Sequence, residues 1–254
     1  MRALRAVWRL AGASLHLGHG IAVMALRFPF LDAGGRARCV QWWSATLLRR
    51  LGLHWHCDGT PRPGATLIVA NHISWLDIAA IHAACPQARF VSKADVKRWP
   101  LIGWLVGAAG TLFIERERKR DALRVVHQMA EALRAGQTVA VFPEGTTSEG
   151  HGTLPFHANL LQAAIAAEAP VQPVALRFSD RRHAVSPSAM FVGETTLMQS
   201  VWAIACADGL RVQVTLLPPL ASAHADRRAL AERLRGEIGA VLSGSAGAGP
   251  PQGG

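Results

Sequence analysis

The chain reads as an α/β protein, with a central mostly parallel or mixed sheet flanked by helices. Three observations predict this. Short apolar runs at Thr66–Ala70, 111–114 and 138–142 alternate with stretches of helical periodicity such as 120–135, which is the pattern of strand–helix–strand units. Two of these runs feed directly into polar turns, at 71–77 and 143–148. Open α/β sheets gather ligands at such strand carboxyl ends. Half of the 254 residues are hydrophobic, ample for one core.

The N-terminal part stands apart in charge. Of the net +10, the first fifty residues hold eight arginines and a single acid, Asp32, while the remainder is nearly balanced. Residues 10–26 carry no formal charge and lie between Arg9 and Arg27. The stretch is near the lower limit of a membrane span and reads as a helix that inserts into lipid or lies on it. Phe28 and Pro29 end it, and 32–35 reads as a loop. Val40, Trp43, Leu47, Leu48 and Leu51 then recur at helical spacing beside Arg49 and Arg50, an amphipathic helix. Residues 1–52 are therefore expected to be membrane-associating helices facing anionic lipid. Nucleic acid is not expected as a partner, because no zinc-finger or RNP signature accompanies the charge.

From 53 onward the elements follow in order. Residues 53–58 alternate as a strand. His54 and His56 share one face of it without a third ligand nearby, so no metal is expected. A helix over 78–84 follows the first polar turn, and 90–92 is a short strand ending at Lys93. Residues 100–110 are uncharged and hold Gly103 and Gly107 at a spacing suited to close helix packing or to a dip into lipid. Residues 158–167 form an alanine-rich helix. The strand at 171–178 contains Pro173 and is therefore expected at an edge or at a bulge. A short strand at 191–193, a helix at 198–206, a strand at 211–217 and a last helix at 226–242 complete a domain spanning 53–242. The Gly, Ser, Ala and Pro tail, 243–254, is expected to be disordered. Cys39, Cys57, Cys85 and Cys206 are scattered and read as reduced thiols.

The chemistry gathers in the polar turns. His72 sits between a strand and a helix, and Ser74 with Asp77 three residues later resembles a capping box. Asp77 can orient one ring nitrogen and leave the other free as a general base, or it can cap the helix while His72 satisfies a backbone group. Glu144, followed by Gly145 and Thr146, either holds a polar substrate or caps a helix. Arg116 can receive a phosphate, or it belongs to the solvated charged run 115–120, and Lys93 carries the same two readings. Residues 146–150, Thr-Thr-Ser-Glu-Gly, fall one glycine short of a Gly-x-Ser-x-Gly elbow, so Ser148 is a weak nucleophile candidate.

Four stretches in sequence order carry a resemblance: Asn71-His72 with Asp77; 110–116, Gly-Thr-Leu-Phe-Ile-Glu-Arg; 142–146, Phe-Pro-Glu-Gly-Thr; and 171–175, Val-Gln-Pro-Val-Ala. Together they resemble the four blocks of the glycerolipid acyltransferase family, over roughly 60–215. The resemblance implies His72 as general base, Asp77 as its orienting group, and direct attack of an acceptor hydroxyl on an acyl thioester. No acyl-enzyme, cofactor or metal is implied. It implies Arg116 as a phosphate ligand, Glu144, Gly145 and Thr146 as the acceptor site, Lys93 as a further basic contact, and Pro173 as structural or lining an acyl pocket. The donor would be acyl-CoA or acyl carrier protein, the acceptor a lysophospholipid in the membrane. The location would be the cytoplasmic face of the inner membrane, reached by one N-terminal helix or peripherally. The leading expectation is 1-acylglycerol-3-phosphate as acceptor. One departure bears on it: Thr147 stands where many phosphate-acceptor members carry Arg, and Thr-Thr-Ser resembles members acting on other lyso-lipids such as lyso-ornithine lipid. A non-catalytic membrane-binding protein on the same fold is the alternative outside enzymology.

Overall fold

The computed structural model describes residues 2–93, 112–114 and 119–244, and for 92, 93, 112–114 and 119–122 the backbone alone. The expectations for 100–110, for Arg116 and for the tail beyond 244 lie outside the described residues, as does the side chain of Lys93.

Seven strands form one sheet: β1 His54–Asp58, β2 Thr66–Ala70, β3 Arg89–Lys93, β4 Leu112–Ile114, β5 Thr138–Val141, β6 Val171–Ser179 and β7 Arg211–Leu216. Their order across the sheet is β1-β7-β6-β2-β5-β3-β4. The five from β6 to β4 run parallel, while β7 is antiparallel to β6 and β1 is parallel to β7. The helices are α1 Arg2–Leu26, α2 Ala33–Arg50, α3 Leu76–Ala84, α4 Lys119–Arg134, α5 Gln162–Ala166, α6 Leu197–Cys206 and α7 Arg227–Gly244. The α/β expectation holds in its mixed form.

The period-2 alternation of strand side chains divides the core between the two faces. Ile68, Ala70, Ala140, Leu176 and Val214 pack with α2, α3 and α6 on one side. Leu67, Val69, Val139, Val171 and Ala175 pack with α4, α5 and α7 on the other. β2 lies at the middle and is buried along its whole length, as befits a strand covered by helices on both faces.

Several local expectations change. Residues 32–35 are not a loop: Asp32 caps α2, its Oδ1 accepting from Gly35 N at 2.7 Å. The helix expected over 158–167 is a 3-10 turn, Ala158–Leu161, followed by α5. Residues 191–193 form no strand. Pro173 is not at an edge, because β6 lies inside the sheet between β7 and β2. Its carbonyl accepts from Leu217 N at 2.9 Å. The return bond, which proline cannot make, is supplied by the neighbouring side chain: Gln172 Nε2 donates to Leu217 O at 3.1 Å.

The N-terminal helices are tied to the domain. Arg9 donates to Ala205 O and Ala207 O at 2.9 and 2.7 Å, and Arg5 pairs with Asp208 at 3.0 Å. Two cations thus close the carboxyl end of α6, where the helix dipole favours them. Between α1 and α2 the ring of Trp43 stacks on His16 with centroids 5.7 Å apart, and His16 Nε2–H donates to Trp43 O at 2.9 Å. Among the described residues no helix is long and apolar enough to cross a membrane, so α1 does not meet the spanning alternative. α1 presents instead a stripe of exposed apolar side chains, Leu4, Trp8, Leu15 and Leu26, with Phe30 beyond its end.

A Cβ at Gly20 would lie 2.1 Å from Trp43 Nε1. Gly20→Ala is therefore expected to force the two helices apart, at a cost of about 1–3 kcal/mol. In thermal unfolding that reads as a Tm lower by roughly 2–10 °C, and an unchanged Tm would show that Trp43 repacks freely.

Candidate active site

The site begins where β2 ends. Asn71 is fully buried and replaces a rung of the ladder with its side chain. Its Nδ2 donates to Leu176 O at 2.9 Å, and its Oδ1 accepts from Leu176 N at 2.8 Å. The turn that follows is thereby fastened to β6. His72 comes next and is about one-fifth exposed.

Asp77 lies in the first turn of α3 and is fully buried. Its Oδ2 accepts from His72 Nδ1 at 2.7 Å, from Ile73 N at 2.7 Å and from Ser74 N at 2.9 Å. The bond to Ser74 N is one arm of the expected capping box. The other arm does not form: Asp77 N donates to the Ser74 backbone carbonyl at 3.1 Å, and Ser74 Oγ accepts from Leu76 N at 3.4 Å. The carboxylate therefore does two jobs at once, folding the turn and taking the Nδ1 proton. Nε2 finds no hydrogen-bond partner among the described residues and faces outward as the acceptor nitrogen.

Phe142 supports the ring from below. It stacks on His72 with centroids 4.1 Å apart and planes 10° from parallel, and Phe90 stacks on Phe142 in turn at 5.6 Å. Phe142 reads as strand packing in the sequence, and nothing in its periodicity marks it as the platform under the His72 ring.

The second polar turn closes against the first. Ser148 N and Ser148 Oγ both donate to His72 O, at 2.7 and 3.1 Å. The Ser148 hydroxyl is spent on a carbonyl in a buried position, so the geometry does not offer it as a nucleophile. Thr147 Oγ1 donates to Phe191 O, and Phe191 N donates to Ile73 O at 3.1 Å. The 191 loop is thus drawn over the turn. Gly150 has φ +81° and sits so close to Ile73 that a Cβ would come within 2.8 Å of its Cδ1.

Glu144 lies beside His72, 4 % exposed. Neither carboxylate oxygen makes a well-formed hydrogen bond. Burial pushes its pKa up to about 7, against the weaker opposing pull of the His72 amide and ring. Gly145 and Thr146 are exposed at the tip of the same turn, Gly145 with φ +72°. The structure therefore brings His72, Asp77, Glu144, Gly145 and Thr146 to one sheet edge. Arg116 and the Lys93 side chain fall outside the described residues. Among the described residues no three His, Cys, Asp or Glu side chains cluster as metal ligands.

The profile of the acyltransferase family matches residues 56–177, which span both turns. A lyso-ornithine lipid O-acyltransferase of Pseudomonas aeruginosa is 36% identical over 235 residues, covering 91% of this chain and 90% of the relative. A 1-acyl-sn-glycerol-3-phosphate acyltransferase of Neisseria gonorrhoeae is 38% identical over 199 residues, covering 77% and 76%. The crystal structure of the 1-acyl-sn-glycerophosphate acyltransferase PlsC from Thermotoga maritima superposes with a TM-score of 0.76 over 97% of this chain and 98% of that one, at 19% identity, and so shares the fold. With similarity that runs nearly end to end in both chains, this protein belongs to the acyltransferase family.

Proposed function

We propose that the protein transfers an acyl chain from a thioester to the free hydroxyl of a lysolipid at a membrane surface. The observation that carries this is the His72–Asp77 pair, with Nδ1 held at 2.7 Å and Nε2 free. Nε2 takes the proton of the acceptor hydroxyl as its oxygen attacks the thioester carbonyl carbon. The tetrahedral intermediate collapses by breaking the C–S bond, and the proton on Nε2 passes to the departing thiolate. An ester and a free thiol result, and no covalent enzyme intermediate forms. Acyl-CoA and acyl carrier protein both supply the required thioester.

Two acceptors compete. Thr147 spends its hydroxyl on Phe191 O, so the turn offers no bidentate guanidinium for a phosphate. This favours an acceptor of the lyso-ornithine lipid type. Arg116 in its sequence block, and the Neisseria relative, favour 1-acylglycerol-3-phosphate, which would yield phosphatidic acid. Membranes containing the protein, offered both acceptors with a labelled thioester, discriminate between the two. His72→Ala is expected to lower kcat by about 10²–10⁴-fold with either acceptor. Transfer at the native rate by His72→Ala, or none by the native protein, would leave the non-catalytic reading.

The membrane contact is assigned to the exposed stripe Leu4, Trp8 and Leu15 of α1, flanked by the N-terminal arginines. Trp8→Ser and Leu15→Ser are each expected to weaken binding to phosphatidylglycerol vesicles by about ten- to a hundredfold, at roughly 1.5–3 kcal/mol per buried side chain. Sedimentation with vesicles reads this, and unaltered binding would move the contact elsewhere.

Glu144 gives the site a pH signature. Its folded pKa of about 7 stands above the ordinary 4.5, so between these values the folded chain holds a proton that the unfolded chain has lost. Stability then falls as pH rises through this window. Glu144→Gln removes the fall, and the Tm of the variant relative to the native protein is expected to climb from about pH 5 to about pH 8. A difference that stays constant across this range would show that Glu144 is ionised throughout.

A further inference from the structure

We infer that His157 contacts the anionic oxygens of the acceptor head group. The inference rests on the reading of the Glu144–Thr146 turn as the acceptor site. His157 enters the structure from the far side of that turn. Its backbone N–H donates to Pro143 O at 2.8 Å, which fastens the residue beside Glu144 without using the side chain. The Cδ2–Nε2 edge of the ring faces Gly145: a Cβ there would stand 3.0 Å from both atoms. His157 is exposed, and among the described residues its ring makes no hydrogen bond. An imidazole held beside the tip of the acceptor turn, with neither ring nitrogen hydrogen-bonded among the described residues and Nδ1 directed away from Gly145, has an N–H to offer a ligand.

Among the described residues of the turn, 143–148, no side chain can carry a positive charge, and Thr146 offers only a neutral hydroxyl. Thr147 points to Phe191 O, Ser148 to His72 O, and Glu144 is itself a carboxyl. An anionic head group needs a donor or a cation near the turn, and His157 is placed to be one. The phosphate of 1-acylglycerol-3-phosphate and the α-carboxylate of lyso-ornithine lipid share the same oxyanion chemistry. His72 meets the reacting hydroxyl and His157 meets the head group, one turn apart on the same sheet edge.

The test is steady-state kinetics of membranes containing His157→Ala or His157→Lys. Three acceptors are used: 1-acylglycerol-3-phosphate, lyso-ornithine lipid, and 1-monoacylglycerol, which has no anionic group. His157→Ala is expected to raise KM for an anionic acceptor about tenfold, the effect of one charge-assisted hydrogen bond, with kcat and the donor KM unchanged. His157→Lys is expected to recover most of the loss. A rise with the phosphate acceptor alone assigns the contact to phosphate, and a rise with lyso-ornithine lipid alone assigns it to carboxylate. A KM within about twofold of native for both anionic acceptors overturns the inference. So does an equal rise with 1-monoacylglycerol, which would report loop shape rather than charge. Absence of transfer by the native protein to all three acceptors would instead overturn the function on which the inference stands.

Discussion

One oxygen of a buried carboxylate organises the turn that leaves the centre of the sheet. Asp77 Oδ2 holds the His72 ring and two consecutive backbone amides within 2.9 Å. A carboxylate removed from water is tolerable only when donors replace its hydration, and here the donors are the turn itself. Fold and chemistry are therefore not separable at this point. The interaction that folds the chain where it leaves β2 is the same one that selects the Nδ1–H tautomer of His72. Around it, Asn71 pins the strand end to β6 and Phe142 props the ring. Ser148 draws the second turn onto the carbonyl of His72.

The parts of this arrangement that depend on local spacing were legible in the sequence. β2 and β5 announce themselves as apolar runs, and the five-residue interval from His72 to Asp77 suits a turn followed by a first helical turn. What the sequence could not disclose are contacts across large separations. Asn71 reads as a spacer until Leu176 is known to lie opposite. Phe142 reads as core until His72 is found above it. Pro173 argues for an edge by its missing N–H, and only the Gln172 side chain explains how it lives in the interior. Asp32 reads as part of a Gly-rich loop because Gly34 and Gly35 carry little helical propensity. Its capping bond to Gly35, together with the packing of the remainder of α2, overrides that.

Thr147 shows how a missing group can be structural rather than merely absent. Its hydroxyl holds the 191 loop, which is also bonded to Ile73. Replacing it by a long cation would release one of the two clasps that cover the turn. The residue is thus committed to the shape of the turn.

α6 lies between α1 and the His72 turn. Its carboxyl end is gripped by Arg5 and Arg9 of α1. Near its start Ser200 Oγ accepts from Trp75 Nε1 at 3.1 Å, two residues before Asp77. α1, α6 and the catalytic turn are therefore linked by directional polar bonds, with no slack linker between them. If α1 rests on a bilayer, the height and tilt of His72 above the lipid are mechanically fixed by those bonds. The protein then meets its amphiphilic acceptor at one constant depth, and the distance from membrane to base becomes a built-in ruler for which hydroxyl of the lipid can be reached.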